Sequence, residues 1–419
     1  MTRILWFFSQ ISSRLWFSAS IYGVGAIVTA LAAIYLKQFI PEELTHNIGA
    51  NAVDGILSIL AASMLSVTIF SLSTMVSAYG AATSNVTPRA TMLLVEDKIS
   101  HRALSTFLGT FIFSIVCIIA LKTGVYGDSG RFVLFVVTVG VITMVVLTLL
   151  SWIEYLTRLG RVGETIEKVE QATSLALRKR LHTPHLGATP LKKTGDIPKK
   201  LKQVTAGTTG YIQHIDMPFL SNLAEKHNAQ IYISTLPGKF VFDAKPIAYV
   251  AGISDEDILA EIRRGFISGK ARSFKQDPRF GLVVLSEIAC RALSPAVNDP
   301  GTAIQVIGTA VRVLLEWQNR DELAATEKGI LYPLLHVLPL DIDALFDDFF
   351  PPVSRDGAAN MEVQIHLQQA YAAFISTQDK SLTKAAKRHR KLSLLRANKE
   401  IALDEDKKTL KAYSKKPIA

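Results

Sequence analysis

The chain has 419 residues, 49% of them hydrophobic, with a formal net charge of +10 and a mean hydropathy of +0.27. A soluble globule of this length is less apolar, so the composition excludes a purely soluble class and indicates a multi-pass membrane protein. Two cysteines, Cys117 and Cys290, are too few for a disulfide framework or a zinc knuckle.

Four apolar runs of span length follow in chain order, at about 15–36, 55–85, 103–121 and 132–153. The first lacks a clear small-residue cleavage site and ends in Lys37, so it reads as a span rather than a signal peptide. The second is the most informative, because residues 52–88 carry one acid, Asp54, and no further charge until Arg89. At about 1.5 Å per residue such a helix outruns the ~30 Å hydrocarbon core, so it tilts, bends or leaves the bilayer. At about 100° per residue, Ser63, Ser66, Ser73, Thr74, Ser77 and Ser84 share one arc. Such an arc either lines a hydrated pore or lets neighbouring helices pack closely.

Arg3 and Arg14 precede the first span, Arg89, Lys98 and Arg102 lie between the second and third, and Arg158, Arg161, Lys168, Arg178, Lys179 and Arg180 follow the fourth. The other two loops contribute Lys37, Lys122 and Arg131. By the positive-inside rule both termini are cytoplasmic and everything after about residue 154 is cytosolic.

Within that cytosolic part, residues 155–203 read as a helical stalk and basic linker, with Gly160 and Gly163 permitting a bend. Residues 204–253 read as a small β-rich module with a Pro237-Gly238 turn. Residues 254–379 read as mostly helical, with helices near 255–266, 282–293 and 302–317. SPAVNDP separates the last two, since Pro295 and Pro300 forbid a continuous helix. The tail, 380–419, holds thirteen Lys or Arg and four acids, a surplus of nine. Membrane lipid of the anionic inner leaflet is the nearest partner for such a tail, with a solvated, partly disordered end as the alternative. No nucleic-acid partner is expected.

RSFKQDPRFGLVVLSEIACRALSPAVNDPGTA at 272–303 resembles the signature of a bacterial membrane-protein family known as domain of unknown function 2254. The resemblance extends to SMLSVTIFSLSTMVSAY at 63–79, TPRAT at 87–91, YGDSGR at 126–131 and LGRVGETI at 159–166. It implies a bacterial inner-membrane protein with a shared cytosolic domain, and brings no reaction, ligand or catalytic residue with it. The expected fold is therefore a multi-pass α-helical membrane protein, four spans with both termini inside, carrying a C-terminal cytosolic α+β domain.

Arg272, Gln276 and Asp277, with Arg291, Asn298 and Asp299, form a candidate cytosolic polar cluster, either an ion-pair network or a binding pocket. Asn298-Asp299-Pro300 also reads as a capping turn for the helix that follows. His214 and Asp216 are two potential metal ligands, too few for a site. No HExxH, GxSxG, Walker loop or GxGxxG follows a strand, so no catalytic residue, metal or cofactor is assigned. The leading functional expectation is an oligomeric channel, built from copies of this chain, whose second span lines the pathway. The alternatives are a membrane-anchored sensor that binds a ligand or partner, and then a membrane hydrolase or transferase using the 272–299 polar group.

Overall fold

The computed structural model describes residues 15–36, 50–95, 97–123, 128–325 and 329–415, in two compact units. Arg3, Arg14, Lys37 and part of the 126–131 motif lie outside the described residues.

One unit comprises Trp6–Ser84 and Thr91–Glu164. Its helices are α1 (Leu15–Leu36), α2 (Ala50–Asn85), α3 (Pro88–Val95), α4 (Lys98–Lys122) and α5 (Asp128–Arg158). Within them, Val53–Ser84, Lys98–Lys122 and Arg131–Arg158 are long and apolar enough to cross a membrane. The apolar stretch found in α1 is shorter, Ser20–Thr29, so length and composition mark three candidate crossings among the described residues.

The interior of this unit is a seam between α2, α4 and α5. Leu57, Met64 and Met75 of α2 meet Leu104, Phe107 and Phe113 of α4 and Leu134, Val145 and Trp152 of α5. The buried indole N–H of Trp152 donates to Ser71 Oγ at 2.9 Å, which satisfies a donor whose apolar burial would otherwise be penalised. Gly109 lets α4 approach Tyr22 of α1 more closely than any side chain would allow. After the fourth apolar run α5 ends at Arg158, and Gly160, one of the two glycines read as permitting a bend, turns the chain at φ +83°, packed against Ala78.

The other unit takes in Asn85–Ala90 and Thr165–Ala419. It opens with α6 (Val162–His182), whose Thr165, Ile166, Val169, Thr173, Ala176, Leu177, Arg180 and Leu181 recur at helical spacing and are buried. A five-stranded sheet follows in the order β1-β8-β4-β6-β2: β1 (Ala188–Pro190), β8 (Tyr332–Val337), β4 (Gln230–Ile233), β6 (Pro246–Ala251) and β2 (Lys202–Thr205). β8 runs parallel to β1 and β4, whereas β6 is antiparallel to β4 and β2. A second sheet pairs β3 (Gly210–Ile215) antiparallel with β5 (Phe240–Val241) and β7 (Phe266–Gly269). Strands also lie outside residues 204–253: the stretch read as linker supplies β1 and the first two residues of β2, and β7 and β8 come from later segments.

Helices α7 (Met217–Lys226) and α8 (Glu256–Arg263) join the sheet core. A helical layer completes the unit, with α9 (Pro278–Ala292), α10 (Pro300–Leu315), α11 (Arg320–Ala325), α12 (Ile342–Asp356), α13 (Met361–Ile375), α14 (Lys380–Glu400) and α15 (Asp404–Lys415). Asp277, Asp299, Asp341, Asn360 and Asp379 each cap the helix that follows, accepting from a backbone N–H of its first turn. The basic tail is not a solvated end. Leu382, Ala385, Ala386, His389, Ser393 and Ala397 of α14 are buried, and α14 packs on α12 and α13. Lys384, Lys387, Arg388 and Lys391 occupy its exposed side.

Candidate ligand-binding site

The signature at 272–303 folds as a buried ion pair, a helix and a turn. Arg272 donates to Asp277 from Nε and Nη2 at 2.8 and 3.0 Å, and its guanidinium lies 5.2 Å from the Phe280 ring centroid. Asp277 is 2% exposed and also accepts from Phe280 N, so one carboxylate caps α9 and neutralises Arg272. Burial pushes the Asp277 carboxyl up, while the Arg272 partner and the Phe280 amide pull it back. Gln276 Oε1 accepts from Ile215 N at 3.0 Å, tying this loop to β3. Gly281 follows because α6 crosses here, with Thr173 occupying the space a Cβ would need.

Arg279, on the first turn of α9, makes a two-bonded pair with Asp348 of α12 at 2.6 and 2.9 Å. These elements border a cavity of about 550 Å³. Its walls include Asp277 and Arg279, Lys239 after the Pro237-Gly238 turn, Lys192 and Lys193 after β1, Arg180 from the end of α6, and apolar Leu236, Pro339, Leu340 and Ile342. Five cations thus meet two acids, Asp277 and Asp341. Asp277 is committed to Arg272, and Asp341 accepts from Asp343 N at 3.0 Å.

Arg180 is the unusual member. It is 7% exposed, Nη2 donates to the Leu338 carbonyl at 3.3 Å, and buried Nη1 has no hydrogen-bond partner among the described residues. No carboxylate of the described residues lies within ion-pair distance of it, and burial lowers its pKa to about 10, so it remains charged at neutral pH. Burial, and then Arg279, lowers the Lys239 ammonium below its usual value.

The other half of the expected polar cluster lies elsewhere. Arg291 sits near the far end of α9, about 20 Å along a helix of 15 residues. Asn298 adopts φ +48° in the exposed turn, and Asp299 accepts from Thr302 N and Oγ1 at 3.0 and 2.5 Å. SPAVNDP is thus a helix-to-helix turn, and the Thr302 bonds hold the Asp299 carboxyl below its ordinary range. Asp216 caps α7 through Phe219 N at 3.2 Å, and no cluster of three metal-ligating side chains occurs among the described residues.

Glu287 was missed by the sequence reading. Its Oε2 accepts from Thr87 Oγ1 at 2.9 Å and its Oε1 from Arg89 Nη1 at 2.8 Å, so the TPRAT segment and the α9 signature are two halves of one contact.

Ser63, Ser66, Ser73, Thr74, Ser77 and Ser84 lie on the side of α2 away from buried Leu57, Met64, Ser71 and Met75. Ser63, Ser66, Thr74 and Ser84 donate back to their own helix, to the carbonyls of Ile59, Ala62, Phe70 and Ala81 at 2.7, 3.0, 3.0 and 3.0 Å. Gly55 and Gly80 on the same side have open space where a Cβ would project.

Long apolar helices and a separate α+β unit with a basic cavity define a membrane protein with a ligand-sized pocket outside its spans. The chain belongs to the predicted membrane protein family DUF2254, whose model matches residues 12–373. Uncharacterised proteins of Mycobacterium bovis and Mycobacterium tuberculosis are each 34% identical over 105 residues, 24% of this chain and 20% of theirs. The match therefore spans about a fifth of the curated relatives' length. No solved structure matches the chain.

Proposed function

We propose that this protein is a four-span inner-membrane sensor, both termini cytosolic, whose C-terminal unit binds a ligand in the cavity at the head of α9. The supporting observation is the double use of α9. Asp277 and Arg279 at its start border the cavity, and Glu287, about two and a half turns on, holds Thr87 and Arg89 of the segment that follows the long α2 in the chain. A ligand that shifts α9 changes the footing of that segment, which is the physical content of coupling between a site and a span. The basic exposed side of α14 supplies a contact for anionic inner-leaflet lipid.

The test is hydrogen exchange on the detergent-purified chain with and without a ligand that occupies the cavity. Changed protection across residues 85–95, lost in Glu287→Gln, supports the reading. Unchanged protection at saturating ligand overturns it.

A second reading, an oligomeric channel formed by several copies with α2 along the pathway, draws on the outward-facing Ser, Thr and Gly residues of α2. Single-particle imaging separates the two: a ring with α2 around an axial opening favours the channel, and a monomer or a sealed dimer favours the sensor.

A further inference from the structure

The structure assigns to the cavity at Arg180 a phosphate ester with an apolar body, whether a soluble metabolite or a lipid headgroup; this assignment rests on the ligand-binding reading above. Arg180 is buried, its Nη1 is unsatisfied, and it borders the 550 Å³ cavity. A buried charge without a partner is unfavourable to folding, and an anion supplied from outside provides both the opposite charge and the missing acceptor. Arginine matches the oxygens of phosphate with two parallel N–H bonds.

Lys192, Lys193 and Lys239 stand on the same walls with no ion-pair partner among the described residues, so the cationic side exceeds what one carboxylate would neutralise. Neither helix N-terminus at the cavity offers a free cap, because Asp277 and Asp341 already serve them. The attraction therefore comes from the side chains. Leu236, Pro339, Leu340 and Ile342 form an apolar wall that inorganic phosphate would leave wet. The volume falls within the ~300–1,000 Å³ of small-molecule sites.

Isothermal titration of the full chain in detergent tests this with phenyl phosphate, inorganic phosphate and benzoate. Phenyl phosphate binding one to one, at least tenfold tighter than either other probe and weakened at least tenfold in Arg180→Leu, supports the assignment. Phenyl phosphate binding that is absent, or equal in folded Arg180→Leu, overturns it, as does tighter binding of benzoate. Should Arg180→Leu fail to fold, Lys239→Gln serves instead, with weakening of at least fivefold expected and unchanged affinity overturning the assignment. Dihexanoyl phosphatidic acid then identifies the source: strong competition with phenyl phosphate supports a lipid phosphate, and no competition supports a soluble ester. Binding that leaves exchange at residues 85–95 unchanged would refute the sensor and leave the ligand class standing.

Discussion

Gly238 and Asp277 touch so closely that residue 238 has no room for a Cβ: any such atom would overlap the Asp277 carboxylate. Gly238 also holds φ +87°, and its N–H donates to Ile212 O at 2.7 Å. The turn before Lys239 and the carboxylate that pairs with Arg272 are therefore fixed by one another.

Gly238→Ala combines a left-handed backbone cost of about 1 kcal/mol with displacement of a buried ion pair. A fall in Tm of several degrees is expected in thermal denaturation of the detergent-solubilised chain. A Tm within a degree of the parent would show that the turn yields freely.

Asp277→Asn leaves the Arg272 guanidinium facing a neutral group in a site where the carboxylate is 2% exposed. Losing one partner of a buried pair is strongly destabilising, by about 3–5 kcal/mol. Replacing both, as Arg272→Met with Asp277→Leu, recovers part of that loss, although the cap at Phe280 N goes with it. Denaturant midpoints of the two variants give the order, and a double variant below the single one contradicts it.

His389 supplies a pH dependence. It is 2% exposed; burial, and then Arg388, hold it at about 4, against the pull of Asp347 3.2 Å from Nε2 and of Asp343. The unfolded imidazole protonates near ~6.5. Between these values the unfolded state binds the extra proton, so this contribution is fully present above ~6.5 and is lost as pH falls toward 4. Its full size is on the order of 3 kcal/mol. Tm measured from pH 7 to pH 5 should drop, and His389→Gln should flatten that slope; parallel slopes would assign the pH effect to other groups.

Glu287→Gln acts locally. Arg89 and Glu287 have side chains 56% and 29% exposed, so the pair contributes under about 1 kcal/mol and global stability barely moves. Amide exchange at Thr87 to Thr91 should nevertheless quicken severalfold. Exchange unchanged there would mean that this contact does not hold the segment.

Ser66→Leu with Ser73→Leu leaves the unit's own core intact, because both residues are exposed on α2. The readout is assembly: a shift in oligomer size by light scattering in detergent identifies this side as a contact between copies, and an unchanged size rules that out.

Three long apolar spans and the Asp299 cap were legible in sequence because both signals are local. Charge-free length marks α2, and Asp299 declares its capping role beside Pro300. The sheet was less so: β1 is the three residues ATP, and β8 carries Pro333 in YPLLHV, a poor advertisement for a strand paired on both sides. The cavity was illegible because Arg180, Lys192, Lys239 and Arg279 come from four separate segments. One trace existed: Arg180 continues the period of Thr173, Ala176 and Leu177 on the buried side of α6, although Arg178-Lys179-Arg180 reads as a solvated helix end. Conversely, Arg291, Asn298 and Asp299 seemed near to Asp277 only in chain order, since the length of α9 carries them away.

The place of β8 between β1 and β4 also sets a timetable. Thr189 of β1 bonds Pro333 across 144 positions of chain, and β4 waits for the same strand. On the ribosome, the N-terminal helices and most of the sheet are synthesised before the strand that joins β1 to β4. Pairings of such long range form slowly. Until residue 337 emerges, β4 has an unpaired edge open to other chains.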